Sequence, residues 1–442
     1  MLRYLTYTWF IVLLCVSCAA PTASTPSPTV GADAPTATDT DMPTIVVPTD
    51  TVTIESPTPS PVPATVPEGG ELLFIQNGGL VAYSLRQNSI RPIVSDVVDF
   101  APSPDGATIA VIRRNQDVDT LWLVDRASIA LTQLGDQTRT IADVSWTPDG
   151  QGLVYASSAT LVPQRSTWLE WANFCRNASV ISFTIADKKE TSFGAGCDPV
   201  VAPDGKRLAY VTRPSRSDAS AADPGNTAGN TLHLVNMQGE NGWDPVTATG
   251  GEPGEKTQGL VVYRPQWSLD GKSLIYHVFI GMRVEVDINL IMRVDAYDGT
   301  QTLLGDFAGW ARQTTSAPRG DMYAITTQNT GDARGFTGWD IWDTTVYTLN
   351  DMREIFLPEG SFNATGTVVG EPLARAQRFA WQPDGQGLAV VLPPDWSPGI
   401  PPNEEYGRTN DPGDIWIWPL GTPPRQALVR GVDQHSPIAW VP

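Results

Sequence analysis

One short pattern recurs along most of this chain and limits what it can fold into: an apolar residue or Trp, a step to Pro-Asp-Gly, and then a short apolar strand. It stands at Ser103-Pro-Asp-Gly-Ala-Thr-Ile-Ala-Val-Ile, Trp146-Thr-Pro-Asp-Gly-Gln-Gly-Leu-Val-Tyr, Ala202-Pro-Asp-Gly-Lys-Arg-Leu-Ala-Tyr-Val and Trp381-Gln-Pro-Asp-Gly-Gln-Gly-Leu-Ala-Val. Trp267-Ser-Leu-Asp-Gly-Lys-Ser-Leu-Ile-Tyr varies it, and Ala317-Pro-Arg-Gly-Asp-Met-Tyr-Ala-Ile is a degenerate copy. Pro presets φ, Asp accepts from amides ahead of it, and Gly takes the positive φ, so each copy reverses the chain between two strands.

A third strand follows each hairpin, as in Thr120-Leu-Trp-Leu-Val-Asp, Leu232-His-Leu-Val-Asn and Asp414-Ile-Trp-Ile-Trp-Pro, and then a weaker fourth, as in Gln301-Thr-Leu-Leu. Four strands per unit, repeated radially, make an all-β propeller. Over about 99–442 the units resemble the TolB-type, WD40-like propeller repeat, whose consensus is close to Trp-Ser-Pro-Asp-Gly. That resemblance implies work with protein partners in a cell envelope.

The two ends complement each other. Residues 71–95 offer three strands with no Pro-Asp-Gly strand before them, and the chain finishes on Ser436-Pro-Ile-Ala-Trp-Val-Pro, an opening strand with nothing after it. Pairing them predicts a seven-bladed propeller over 71–442 and hides two edges that would invite aggregation. Six blades, usual for the TolB family itself, is the alternative.

Before the propeller, Arg3, the apolar run Trp9-Phe-Ile-Val-Leu-Leu-Cys-Val and Ser17-Cys18-Ala19 read as an export signal over 1–18, too short to span a bilayer. The arrangement resembles a bacterial lipoprotein signal, which implies cleavage before Cys18 and its lipidation; plain cleavage and secretion is the alternative. Residues 19–70 are dominated by Pro, Thr and Ser. Such a segment cannot bury enough surface to offset its ordering entropy, so a disordered stalk is expected. The expected setting is the outer side of a membrane, where Cys175 and Cys197 would form a disulfide, a buried free pair being the alternative.

The formal net charge of −19 and the absence of a Lys/Arg run exclude nucleic acid as a partner class. Insertions at about 157–178, 213–230, 243–262, 329–339, 359–375 and 393–414 emerge opposite the Pro-Asp-Gly turns, and loops on a rigid scaffold carry binding residues. Trp168, Trp171, Phe174, Trp243, Phe336, Phe362, Trp396 and Tyr406 fall in them and are the candidate contacts, against the plain alternative that they pack loops onto the rim. Glu404, Glu405, Asp411 and Asp414 are weak calcium candidates without EF-hand spacing.

Catalytic arrangements are scarce. His233 and His277 fall in strands, His435 precedes the last strand, and neither a Gly-x-Ser-x-Gly elbow nor metal-ligand spacing accompanies them. The expected function is a monomeric, cofactor-free binding or scaffold module for a protein, peptide or glycan. The alternative is a propeller hydrolase or lyase acting on polysaccharide or peptide, which facing carboxylates near the axis would favour.

Overall fold

The computed structural model describes residues 69–442, apart from 139, 162–167, 214–228, 249–260, 284–285, 309, 319–321, 332–336, 349–352, 357–361, 366–372, 375, 377, 398–411, 421–423, 425–426 and 434. The signal, Cys18, most of the stalk, Phe336, Glu404, Glu405, Tyr406 and Asp411 lie outside the described residues, as do the side chains of Trp168 and Phe362.

Antiparallel four-stranded meanders follow one another. The first unit holds β1 (Glu71–Gln76), β2 (Gly79–Ser84) and β3 (Ser89–Val94); the second β4 (Val97–Pro102), β5 (Thr108–Asn115), β6 (Val118–Asp125) and β7 (Leu131–Thr138). Next come β8 (Thr140–Trp146), β9 (Gly152–Ser158), the helix α1 (Trp168–Asn177), β10 (Ala178–Thr184), β11 (Lys189–Val201), β12 (Arg207–Thr212), β13 (Thr231–Asn236) and β14 (Trp243–Thr247). The fifth unit is β15 (Val261–Trp267), β16 (Ser273–Arg283), β17 (Val286–Asp295) and β18 (Gln301–Ala308). The sixth is β19 (Trp310–Ser316), β20 (Met322–Gly331) and β21 (Thr337–Thr348), with an added hairpin of β22 (Arg353–Phe356) and β23 (Phe362–Thr365) before its outer strand β24 (Leu373–Ala374). The last is β25 (Phe379–Trp381), β26 (Gly387–Leu392), β27 (Gly413–Pro419) and β28 (Ala427–Val432), after which β29 (Ile438–Val441) pairs with β1, setting Phe74 against Ile438 and Glu71 against Val441.

β8 to β14 form one seven-stranded sheet because β11 serves two units. Its first half pairs with β10 up to Ala195, and from Gly196 it pairs with β12. Gly194 turns it at φ 113°, and a Cβ on Gly196 would meet the Val211 carbonyl oxygen at 2.3 Å.

The turn chemistry is uniform. Gly106, Gly150, Gly205, Gly271 and Gly385 have φ between 68° and 72°. Each donates its amide to the residue three before it, at 2.8–2.9 Å. The Asp before each Gly accepts the amide two residues on, as in Ala107 to Asp105 at 3.0 Å and Lys206 to Asp204 at 2.9 Å.

The Trp at the end of a first strand has a second use. Trp146, Trp267 and Trp381 each donate the indole N–H to a first-strand carbonyl of the preceding unit: Ala101 (2.9 Å), Val200 (3.1 Å) and Thr315 (3.2 Å). Trp440 of β29 makes the same bond to Ala380 in β25, at 3.2 Å. Apolar side chains fill the spaces between neighbours: Leu73, Ile75 and Leu80 meet Val97, Phe100 and Ile109, while Leu72, Phe74 and Val81 meet Ala389, Val391 and Ile415. A Trp267→Phe variant keeps a ring in place but strands the Val200 carbonyl; it is expected to lower stability by about 1–3 kcal/mol, read from the urea midpoint. An unchanged midpoint would remove the indole bond as the reason for Trp at this position.

Candidate functional site

The first strands of successive units converge on a cavity of about 290 Å³. Every lining residue falls one to four positions before the Trp-equivalent position of its strand, so the cavity runs toward the Pro-Asp-Gly end. Its charged members are Asp143 (β8), Asp198 (β11), Arg264 (β15), Arg312 (β19) and Arg378, just ahead of β25. An innermost strand is where apolar side chains would ordinarily pack, so five charges there are the departure that marks the site.

Backbone geometry aims them. Asp143, Asp198 and Arg264 have φ of 56°, 50° and 47°, a region disfavoured for residues with a Cβ. Each sits at a register shift: Ala142/Ser145, Cys197/Val200 and Tyr263/Gln266. A bulge of this kind turns a side chain that would face its sheet neighbours toward a new direction, and such strain persists where the surroundings hold it.

Those surroundings are visible at Asp198. Its Oδ2 accepts the Arg264 amide at 2.8 Å and the Trp171 indole N–H at 3.0 Å. Trp171 is fully buried against Trp310 and Tyr263, whose rings stack at 3.8 Å, and Cys175 of α1 is bonded to Cys197, next to Asp198. The expected disulfide is therefore present. Arg264 is tied through Nε to the Ala311 carbonyl at 2.8 Å; Gln313 donates to the Phe379 carbonyl at 2.7 Å and accepts its amide, and Gln266 donates to the Thr314 carbonyl.

Electrostatics follow from burial. Asp198 is pushed up to about 6, first by loss of water and then by the Asp143 carboxylate, with the Arg264 guanidinium, the Arg264 amide and the Trp171 indole pulling the other way. His435 is held down to about 3 by burial and by the guanidinium groups of Arg312 and Arg378, so it is neutral beside them. His277, at about 3 for the same first reason, bonds the Tyr323 hydroxyl at 2.9 Å behind the cavity, and His233 bonds Asp244 at 2.6 Å.

The sequence-derived contacts are distributed differently from the expectation. The insertion at 157–178 contains α1, and its Trp171 and Phe174 are fully buried: an amphipathic turn packs inward once the disulfide holds it. Trp243 is not in an insertion but opens the fourth strand β14, its ring beside Gly299 of the β17–β18 turn, at the Pro-Asp-Gly end. Phe362 belongs to the β22–β23 hairpin. Trp396 is buried edge-on against Trp416, ring centroids 5.2 Å apart. Asp414 sits inside β27, buried, accepting the Gly431 amide at 3.1 Å, and no acidic or thiol cluster with metal-ligating arrangement occurs among the described residues. None of the charged cavity residues was singled out from the sequence; the signal that finds them is a charge three places before the Trp position, at Asp143, Asp198, Arg264 and Arg378.

No protein-family model matches the sequence, and no curated protein does. Among solved structures the chain is similar to the tricorn protease, with TM-score 0.52 and 11% identity over 84% of this chain, which spans 34% of that protein's length. It is similar to an oligogalacturonate lyase from Vibrio parahaemolyticus, with TM-score 0.50 and 12% identity over 74% of this chain and 84% of the lyase. TolB from Acinetobacter baumannii gives TM-score 0.43 and 14% identity over 82% of this chain and 79% of TolB. At these identities the likeness is one of fold, and with the repeated meander and its turn chemistry the fold is a β-propeller.

Proposed function

We propose that this β-propeller is a binding module held outside the cytoplasm, seven-bladed and completed edge to edge by β29 and β1, whose axial pocket receives a group of its partner. The indole bond from Trp440 to Ala380 supports that completion, because it repeats between the last and first units the bond found between consecutive ones. The signal-like start and the Pro/Thr/Ser-rich segment support a tether through Cys18 and a stalk over 19–70. The partner is a protein, peptide or glycan reached from outside the membrane.

The observation that carries the reading is the placement of Asp143, Asp198, Arg264, Arg312 and Arg378 around one cavity, three of the first strands kinked into positive φ to present them. Perturbed titratable groups gathered in a concave site are what recognition requires. A second reading, a hydrolase or lyase, draws on one fact: Asp198 is pushed up to about 6 next to the Asp143 carboxylate, as a general acid would be.

Peptide and glycan arrays probed with the full chain and with Arg378→Gln test the first reading. A probe class retained by the wild type is expected to bind the variant at least about tenfold more weakly. Binding that is equally strong in the variant places recognition elsewhere on the molecule; probes consumed rather than retained favour the enzyme.

A further inference from the structure

We infer that the axial pocket takes a compact monocarboxylate, with its carboxylate on the side of Arg264, Arg312 and Arg378 and its hydrogen-bond donors toward Asp143 and Asp198. The inference rests on the pocket being the recognition site and names what enters it.

The charges around the cavity are segregated. Asp143 and Asp198 come from two consecutive units, and Arg264, Arg312 and Arg378 from the next three. The cavity therefore has an acidic arc and a longer basic arc, in a chain whose net charge is −19 and which has 29 Lys and Arg in all. Three guanidinium groups drawn into one small space in an acidic protein favour an anion, and the planar fork of Arg matches a carboxylate. A dianion such as phosphate would gain from the basic arc and be repelled by the acidic one. A cation would meet the reverse.

Size and fixed geometry narrow the choice. About 290 Å³ is at the small end of ligand sites, so the occupant is a small molecule or the end of a longer one. Arg264 is anchored through Nε to Ala311, which leaves the terminal nitrogens for the cavity. At Asp198 both structural donors fall on Oδ2, which leaves Oδ1 to accept from a hydroxyl or amide of the ligand. A sugar acid and a peptide carboxyl terminus both carry this pairing of carboxylate and donors.

Calorimetric titration of the full chain separates the sources. The probes are D-glucuronate against D-glucose, N-acetylglycine against N-acetylglycinamide, and inorganic phosphate. One of the two carboxylates is expected to bind, its neutral counterpart at least about tenfold more weakly. Arg378→Gln should weaken the carboxylate about as much, and Asp143→Asn should tighten it several-fold. Asn tolerates the positive φ at this position, so the second variant keeps the fold while moving affinity in the opposite direction. Phosphate binding more tightly than both carboxylates, or neither carboxylate binding, overturns the inference. A neutral counterpart that binds equally well and is lost in Arg378→Gln overturns the carboxylate assignment and leaves the pocket as the recognition site. Binding indifferent to both variants overturns the pocket itself.

Discussion

Deleting residues 435–442 is expected to unfold or aggregate the whole of 71–442, not to fray one end. β29 pairs with β1 from Phe74–Ile438 to Glu71–Val441, the Ser436 hydroxyl accepts the Ile75 amide at 2.6 Å, and Trp440 reaches Ala380. Ile438 and Val441 are buried, each contributing about 1.5–3 kcal/mol, and removing the Trp440 ring costs roughly 3 kcal/mol more. The sum is comparable with the whole stability of a domain, about 5–15 kcal/mol. The deletion also bares the edge of β1, a template for pairing with other chains. Scanning calorimetry and light scattering check this: a deleted chain that stays monomeric with the wild-type melting transition would show that the last strand is dispensable.

Asp198→Asn is expected to stabilise the protein at pH 7.5 by about 3 kcal/mol and to leave it unchanged below pH 4. The folded carboxyl is pushed up to about 6 from an ordinary 3.8, a span worth about 3 kcal/mol. The sign follows from proton binding. Between those two values the folded state holds a proton that the unfolded state has released, so stability falls as pH rises through the window and is lowest above it. Asn keeps an oxygen to accept from Arg264 and Trp171 and removes the charge that burial and Asp143 disfavour. Urea midpoints of both proteins at pH 3.5, 5 and 7.5 should diverge with rising pH; a gap that does not change with pH would trace the effect to packing. A wild-type residue that weakens its own fold at neutral pH is the pattern expected where stability is subordinate to a site.

Most of the architecture was legible because its determinants are local. A Pro-Asp-Gly turn needs only its own residues and the Asp oxygen two amides behind the next strand, so each hairpin could be read from about ten letters. The complementary ends were legible for the same reason: one lacked an opening strand and the other ended on one. The helix α1 was not, since Trp168–Asn177 lies in a connection between two strands and gains its place from the Cys175–Cys197 bond and from the Trp171 contact with Asp198. Aromatic residues in connections suit both surface contact and packing of a loop onto the rim, and residue type alone does not separate the two; Trp171, Phe174 and Trp396 turn inward and anchor those connections. The site was hidden for a different reason. Asp143, Asp198, Arg264, Arg312 and Arg378 lie one repeat apart along the chain, and nothing in any single repeat shows that they face one another. Superposing the repeats on the Trp position exposes a charge where an inner strand should be apolar, and that mismatch between pattern and burial was the available clue.

β11 has a consequence for how the molecule can change. Between β3 and β4, β7 and β8, and β18 and β19 only one or two residues separate one unit from the next, yet each strand ends before the next begins. Here the same extended segment ends one sheet and begins another, with Cys197 pinned and Gly196 too close to Val211 for any side chain. One residue more or less would turn every following side chain to the wrong face of its sheet. This segment is the part of the sequence whose length drift cannot edit, and the two units it joins should open together, as a single unit in hydrogen exchange, while the others open separately.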